Sequence, residues 1–401
     1  MDPRTNPYAP GAGTQPPELT GRSELIEKAD IAMERCRSGL SARGLVMVGL
    51  RGVGKTVLLS RLSQDAEAKG FAVLFVETPE KRSLPALLIP ALRSTLLKLD
   101  RMTTAGLLVK KTLGVLGSFV EAMRFKYADV ELSVQLDKQP GVADSGDLEH
   151  DLMELFVAVG QAVKEKNTAL ILFIDEIQYI KEDEFAALIM ALHKCAQKQL
   201  PVLLIGAGLP QLVAQAGRAK SYAERLFEYP EIGPLSPEEA IKALQIPAER
   251  LQVYYEGKAL SEIIRQTRAY PYFLQEWGKH CWDIAKKSPI TFDDACFATD
   301  LAISELDASF FRVRFDRLTP AEKKYLRAMA ELELQACRSG DIAHLLQREV
   351  QSVAPIRASL IGKGMIYSPS HGDTAFTVPL FGGYMKRVMP GGFAEGRSKG
   401  S

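Results

Sequence analysis

The sequence has no apolar run long enough to span a bilayer. Its most apolar helix-like stretch, residues 105–123, is broken by Lys110 and Lys111, so a membrane partner is not expected. It also lacks paired cysteines. The five thiols (Cys36, Cys195, Cys281, Cys296, Cys337) are scattered, odd in number and free of any Cys-x-x-Cys spacing. That excludes a disulfide framework and a cysteine zinc site and reads as reduced thiols in a cytoplasmic protein. Net charge is nearly absent: 50 Lys and Arg face 49 Asp and Glu, leaving +1. Whole-chain charge thus points to neither nucleic acid nor membrane, and any such surface must be local. The first 22 residues are polar and rich in Pro and Gly, without the apolar segment of a secretory signal.

The chain has 401 residues, 46% of them hydrophobic and 25% charged, which suits a globular chain of two or three domains. An extended arm is expected over residues 1–18. A helix at 24–38 follows, then a strand at 44–48, a Gly-rich turn, a helix at 55–69 and a strand at 72–76. Residues 83–136 are helix-like, with a polar break after them, and read as a helical insertion (83–146). A helix at 148–164 leads into the most apolar strand, 169–174. A helix at 183–197, a strand at 202–205 and a fifth strand at 228–232 complete the set. Strands alternating with helices imply an α/β fold with a parallel sheet.

After Pro234 the pattern becomes helical. Ser236 is an N-cap, Pro237 sits at the first helical position, and Glu238 and Glu239 fill the first turn. Leu318-Thr319-Pro320-Ala321-Glu322 repeats that logic. The expected division is an arm (1–18), a sheet domain (19–233), a helical lid and linker (234–310), a C-terminal module (311–390) and a disordered tail (391–401).

Residues Gly49, Leu50, Arg51, Gly52, Val53, Gly54, Lys55 and Thr56 satisfy Gly-x-x-x-x-Gly-Lys-Ser/Thr in full, between a strand and a helix, with Val57 in the first helical turn. Glycines let the backbone curl so that successive N–H groups face phosphate, and the helix adds its positive end. Lys55 is placed for the β- and γ-phosphates, and the Thr56 hydroxyl for Mg²⁺. The second half of the site is the strand ending in Asp175-Glu176. An acid at the carboxyl end of a buried parallel strand lies at the ligand-binding edge. Asp175 is the second expected Mg²⁺ ligand, and Glu176 the group that deprotonates attacking water. No Asn-Lys-x-Asp guanine-reading string occurs, so ATP is favoured over GTP.

These motifs resemble the AAA+ ATPases, close to the replication-initiator (origin-recognition) type and the related STAND NTPases, over residues 19–379. The resemblance implies a three-layer P-loop fold with a helical lid and a C-terminal winged helix. It implies that Gly21 and Arg22 line the adenine. Pro271, in Ala269-Tyr270-Pro271 of a lid helix, would approach the base; the family has Gly where this chain has Ala269. Arg225, before the last strand, would act as an arginine finger on a neighbouring subunit, with Arg218 a second candidate and self-association implied. One departure matters: where the family has a polar sensor after the fourth strand, this chain has Gly206-Ala207-Gly208. That favours a slow, switch-like ATPase.

The C-terminal module reads as helix, helix (341–347), helix (350–362), then a hairpin turning at His371-Gly372-Asp373. Pro355 is tolerable only in a first turn, so the third helix is expected to start after Val350. Residues 311–401 carry 14 Lys and Arg against 8 Asp and Glu, net +6, leaving −5 elsewhere. Arg357, Lys363, Ser352 and Ser359 are the candidate readers of double-stranded DNA. Two functions remain open: a nucleotide-driven switch acting on DNA or a DNA-bound complex, and a regulatory ATP-binding protein whose winged helix docks protein partners.

Overall fold

The computed structural model describes residues 1–11, 13–101, 107–130, 138–221, 223–370 and 372–391. Its sheet is built from the branched apolar runs that the sequence displays. Strands β1 (Gly44–Val48), β2 (Ala72–Glu77), β3 (Leu170–Asp175), β4 (Val202–Gly208) and β5 (Phe227–Glu228) pair in the order β2-β3-β4-β1-β5. All pairings are parallel. β1, β3 and β4 are buried at every residue, because helices cover both sheet faces. β5 is shorter than expected. Beyond it only Glu231 bridges Val48, and the Ile232 N–H donates to the Val48 carbonyl at 2.7 Å.

One helical layer comprises Leu84–Arg101, Leu107–Arg124, Leu148–Glu165 and Glu182–Gln197. It shares an apolar cluster with Leu74, Leu172 and Leu204 of the sheet. The first two helices, expected as an insertion, complete this layer: Leu88, Leu92, Leu96 and Phe119 are fully buried. The rest of that segment, 102–106 and 131–137, lies outside the described residues. The opposite face is covered by Ser23–Arg37 and Lys55–Ala68, packed on Leu45, Ile171, Phe173 and Ile205. The result is a three-layer α/β fold, with the sheet between two helical layers.

The lid helices are Pro237–Glu249, Gly257–Thr267, Pro271–Ile284 and Phe292–Leu306. The Ser236 hydroxyl caps the first by accepting from the Glu239 N–H at 3.2 Å. The fourth runs into a π-helical turn, Asp307–Phe311, and a short helix, Arg312–Asp316. The C-terminal module then follows: Pro320–Leu332, β6 (Cys337–Arg338), Ser339–Leu345, Val350–Gly362, β7 (Ile366–Tyr367), β8 (Asp373–Phe376) and Phe381–Val388. β6, β8 and β7 form an antiparallel sheet in that order. The third strand and the last helix have no sequence signal. Asp373, expected in the hairpin turn, starts β8; His371 and residues 392–401 lie outside the described residues. The third helix does begin at Val350, with Pro355 in its second turn. The carbonyl that the proline leaves without its helical donor belongs to Gln351, an exposed residue, and is open to solvent.

Lid and C-terminal module share one apolar cluster. Phe310 stacks on Tyr272 of the lid (centroids 4.9 Å apart), while Phe311 packs on Tyr384 of the module (5.3 Å). The N-terminal arm joins the same cluster. Tyr8 is 4% exposed, its hydroxyl donates to the Leu244 carbonyl and it accepts from Tyr255 Oη at 2.9 Å. Trp282 Nε1 donates to the Asp2 carbonyl at 3.0 Å. A Pro- and Gly-rich arm has no periodicity to reveal this, yet one buried tyrosine ties it down.

Gly278 makes room for that ring: a Cβ there would lie 2.7 Å from Tyr8 Cδ1. Gly278→Ala is expected to destabilise the protein by about 1–3 kcal/mol through overpacking. It is also expected to speed tryptic cleavage at Arg4, read by thermal denaturation and limited proteolysis. An unchanged midpoint with no faster cleavage would contradict the packing described.

Candidate nucleotide site

The register of the sheet brings four strand ends to one edge: Glu77 lies opposite Asp175, and Val48 opposite Gly208. The turn after β1 curls through left-handed backbone at Gly52 (φ +82°) and Gly54 (φ +89°), which glycine adopts without a Cβ penalty. Lys55 opens the following helix and is 6% exposed. Its ammonium donates to the Gly49 and Leu50 carbonyls, each at 2.9 Å. Burial pushes its pKa down to about 8, against the opposing pull of Glu176 and Asp175.

Asp175 ends β3 at 1% exposure. Burial raises its carboxyl above the usual range, offset by a hydrogen bond from the Thr56 hydroxyl. A hydroxyl beside a desolvated carboxylate, both hard oxygen donors, fits Mg²⁺, and Thr56 and Asp175 are the residues that would hold it. Glu176 is in left-handed backbone (φ 53°, ψ 38°), uncommon for a non-glycine residue. Thr78, at the end of β2, holds that turn: its Oγ1 donates to the Asp175 carbonyl at 2.9 Å and the Glu176 carbonyl at 2.6 Å.

The absence of a polar side chain after β4 has a structural counterpart. Gln178 Nε2 donates to the Glu176 carboxylate, and Gln178 Oε1 accepts from the Leu209 N–H at 3.0 Å. A Cβ on Gly208 would stand 2.7 Å from Gln178 Oε1. The bare glycine at the end of β4 therefore admits a glutamine from the neighbouring turn, which links β4 to Glu176.

These groups line a cleft of about 640 Å³. Pro10, Leu19, Leu235, Ala243 and Pro271 give it apolar walls suited to a base, and Arg51, Lys55, Thr56, Asp175 and Glu176 a polar end suited to phosphates. Arg22 and Val57 also line it. Gly21 does not: in left-handed backbone (φ +67°), it turns the chain against Leu235 and Glu239. Arg22 bonds the P-loop, donating to the Gly233 carbonyl at 2.7 Å and the Val53 carbonyl at 3.3 Å. Pro271 occupies the first position of its helix, so Ala269 and Tyr270 precede the helix and do not belong to it. Ala269 takes the left-handed conformation itself (φ 57°). Arg225 is exposed on the short helix Ala223–Leu226, away from the cleft; Arg218 pairs with Glu182 at 3.7 Å. Tyr222 lies outside the described residues.

Three features had no sequence signal. The Tyr272 N–H donates to the Gly52 carbonyl at 3.1 Å, and the Arg51 N–H donates to the Thr377 carbonyl at 3.0 Å; lid and C-terminal module thus both bond the P-loop backbone. Arg314, 43 residues past Pro271 by sequence number, also lines the cleft. Gln178 lies two residues after Glu176, close enough to suggest itself, but Thr78 is 97 residues from Asp175 and nothing in the spacing ties it to the acidic pair or residue 314 to the P-loop. In a second group of potential ligands, Glu276, His280 and Glu305, Tyr272 donates to Glu276 at 2.9 Å, Lys279 donates to Glu305 at 3.4 Å, and His280 Nε2 stands 3.1 Å from the Glu305 carboxylate.

The candidate DNA readers are engaged within the module. Arg357 donates to Thr374 Oγ1 (3.0 Å), Ser368 Oγ (2.7 Å) and the Asp373 carbonyl (2.8 Å). Lys363 and Ser359 both donate to the Glu322 carboxylate at 2.7 Å, and Ser352 to the Glu349 carbonyl at 2.8 Å. The exposed residues of helix Val350–Gly362 include Gln351, Ala354, Pro355 and Ala358, none of them basic. Arg357 is therefore a hairpin support and not a base reader.

Residues 18–205 match a family described as an AAA ATPase domain. Residues 308–385, beginning inside the π-helical turn, match a domain of unknown function. Among solved structures the chain is similar to a Walker-type ATPase of Pyrococcus abyssi, at 15% identity and a TM-score of 0.58, over 93% of this chain and 97% of that one. At that identity the likeness is one of fold. It is also similar to the Orc1 protein of Aeropyrum pernix in complex with DNA (13%, TM-score 0.46, covering 93% and 94%). The RuvB Holliday junction branch migration motor of Thermotoga maritima gives 15%, TM-score 0.43, covering 88% and 92%. No curated protein matches the chain.

The depressed Lys55 pKa of about 8 makes nucleotide binding a proton-linked event. Below that pH the free protein already carries the ammonium. Above it the neutral amine must gain a proton to face phosphate, so affinity falls as pH rises through 8. Calorimetry in buffers of different ionisation enthalpy is expected to show proton uptake that is small at pH 7 and approaches about one at pH 9. Lys55→Ala is expected to abolish both binding and uptake. Uptake that is the same at both pH values would refute the assignment.

Proposed function

We propose that this chain, an AAA+-type P-loop protein with an AAA ATPase domain over residues 18–205, is a slow ATP-hydrolysing conformational switch. The observation that carries the reading is the bond from the Arg51 N–H to the Thr377 carbonyl, which fastens the C-terminal module to the loop that receives the phosphates. Because lid and module share one apolar cluster, they move as a unit. Besides the Tyr270 ring, which packs on both the lid cluster and a sheet-domain cluster, their contacts with the sheet domain at the site include two polar ones: Tyr272 to Gly52, and Arg317 to Glu80 at 2.9 Å. Such contacts exchange readily for bonds to nucleotide.

For hydrolysis to ADP and phosphate, Lys55 neutralises developing phosphate charge, and Thr56 and Asp175 would hold Mg²⁺. That ion, when bound, draws charge from the phosphate oxygens. Glu176 takes the proton of the attacking water. Gln178 fixes its carboxylate, and the Arg51 guanidinium stands 4.0 Å away. A base held by two cationic or amide donors turns over slowly, because they must yield before it accepts a proton. Arg225 acts, on this reading, only across a subunit boundary.

Glu176→Gln is expected to retain ATP while turnover falls about tenfold or more. Hydrogen exchange of that variant is expected to rise around residues 364–378 when ATP replaces ADP. Unchanged turnover would remove Glu176 from the role of base, and equal exchange in the two states would remove the switch.

The net +6 of residues 311–401 supports a second reading, in which a winged-helix module acts on duplex DNA. Much of that charge is paired with acids; of the bases without an acidic partner among the described residues, Arg314 lies over Phe310, Lys323 over Phe315 and Arg357 in the hairpin, while Lys324, Arg338 and Arg348 are exposed. Binding through phosphates alone is then expected, weakening steeply with salt by counterion release. The full chain suits the assay, since the module shares its core with the lid. Anisotropy on a labelled duplex is expected to show salt-sensitive binding that is lost when all three residues become Ala. No binding at low salt would move the module to protein docking.

A further inference from the structure

Arg314 is the unexplained cation of the cleft. The residues around it on the same short helix have acidic partners outside the site: Arg312 pairs with Asp316 at 3.3 Å, and Arg317 with Glu80 at 2.9 Å. Arg314 has none among the described residues. It donates to the Phe310 carbonyl at 2.7 Å, and its guanidinium lies 3.9 Å over the Phe310 ring. It is half-buried, and its charged neighbours include another cation, Arg51. Burial and that like charge push its pKa down to about 10. A guanidinium drawn from water beside a second one is unfavourable unless an anion joins them.

The backbone explains how it gets there. The π-helical turn Asp307–Phe311 interrupts the helix that leaves the lid, and such turns re-aim the side chains that follow them. Phe310 is stacked on Tyr272 and Phe311 on Tyr384, so the turn is seated on lid and C-terminal module at once. The cleft is lined by the cations Arg22, Arg51, Lys55 and Arg314 and the carboxylates Glu18, Glu77, Asp175 and Glu176, and Arg22 is engaged by the Val53 and Gly233 carbonyls. Lys55 belongs to the P-loop. Arg314 comes from outside the sheet domain and lies near Arg51 and Tyr179, which bond one another at 2.8 Å next to Glu176. The outermost phosphate would meet the water-activating carboxylate on that side.

We infer that Arg314 binds the terminal phosphate of a nucleoside triphosphate, so that the junction between lid and C-terminal module tells triphosphate from diphosphate. The inference rests on the nucleotide switch proposed above and adds the residue that reads the phosphate count. A planar fork of N–H donors suits two phosphate oxygens at once. Because the turn is packed against both helical parts, whatever Arg314 grips moves the whole unit.

The test uses the full chain, with Mg²⁺, and measures displacement of a fluorescent ADP by ADP and by a non-hydrolysable ATP analogue. For Arg314→Gln, ADP affinity is expected to stay within about twofold while the triphosphate loses about tenfold or more, as for a lost charge-assisted pair. Arg314→Lys, which keeps charge without the fork, is expected to fall between, and it carries the comparison if the Gln variant does not fold. The rise in exchange at residues 364–378 with triphosphate is expected to vanish in the Gln variant. Equal losses for both nucleotides would make Arg314 a prop for the pocket wall, and no loss for either would make it irrelevant to phosphate; each result overturns the inference. Wild-type protein that binds ADP and triphosphate without any exchange difference would overturn the switch itself, whatever Arg314 does.

Discussion

Everything in this molecule is arranged around the backbone of one loop. Five successive P-loop carbonyls and amides are bonded from different directions. Lys55 takes the Gly49 and Leu50 carbonyls, and the C-terminal module takes the Arg51 amide. The lid takes the Gly52 carbonyl, and Arg22 the Val53 carbonyl. A glycine-rich turn has little side chain with which to hold its own shape, so its geometry is imposed by partners. Each partner is polar and replaceable. On the switch proposed above, a ligand that competes for these groups would change the standing of every domain at once.

The distribution of apolar surface sets what can move. The sheet domain buries two clusters, one on each face. Lid, C-terminal module and N-terminal arm bury a third between them. Breaking into any cluster costs on the order of 1.5–3 kcal/mol per large side chain exposed, whereas an exposed ion pair such as Arg317–Glu80 is worth about 0–1 kcal/mol. Relative motion is therefore cheap between sheet domain and lid and expensive between lid and module. The arm that looked extended belongs to the moving side, held by Tyr8.

The acidic pair shows how a missing residue can be replaced in space. A reading of the strand end alone finds Gly206-Ala207-Gly208 and no hydrogen-bonding side chain. The small residues are what allow the Ile177–Tyr179 turn to pack across β4, and that turn delivers Gln178 to Glu176. The positive charge of the C-terminal segment went the other way. Counted along the chain it suggests a nucleic-acid surface, but Arg357, Lys363 and Arg314 are turned inward, to the hairpin, to Glu322 and to the nucleotide cleft.

The chain order alone determined the parallel sheet, the P-loop, the Asp175-Glu176 strand end and the capped starts of the helices at Pro237 and Pro320. Each of these depends on neighbours within a few residues: apolar runs, glycines and prolines at fixed offsets, or hydroxyls three residues before an acid. Tertiary structure decided the rest. Whether 83–146 is an excursion or a core layer depends on which apolar surface its helices meet. Arg22 and Arg314 reach the cleft from about 30 residues before and about 260 after the P-loop, separations at which no local spacing rule operates. Whether Arg357 faces solvent or the hairpin depends on strands 11–17 residues away folding back upon it. Local chemistry can be read from order because its partners are adjacent in the chain, whereas the charges that would meet nucleotide are fixed only when distant segments pack.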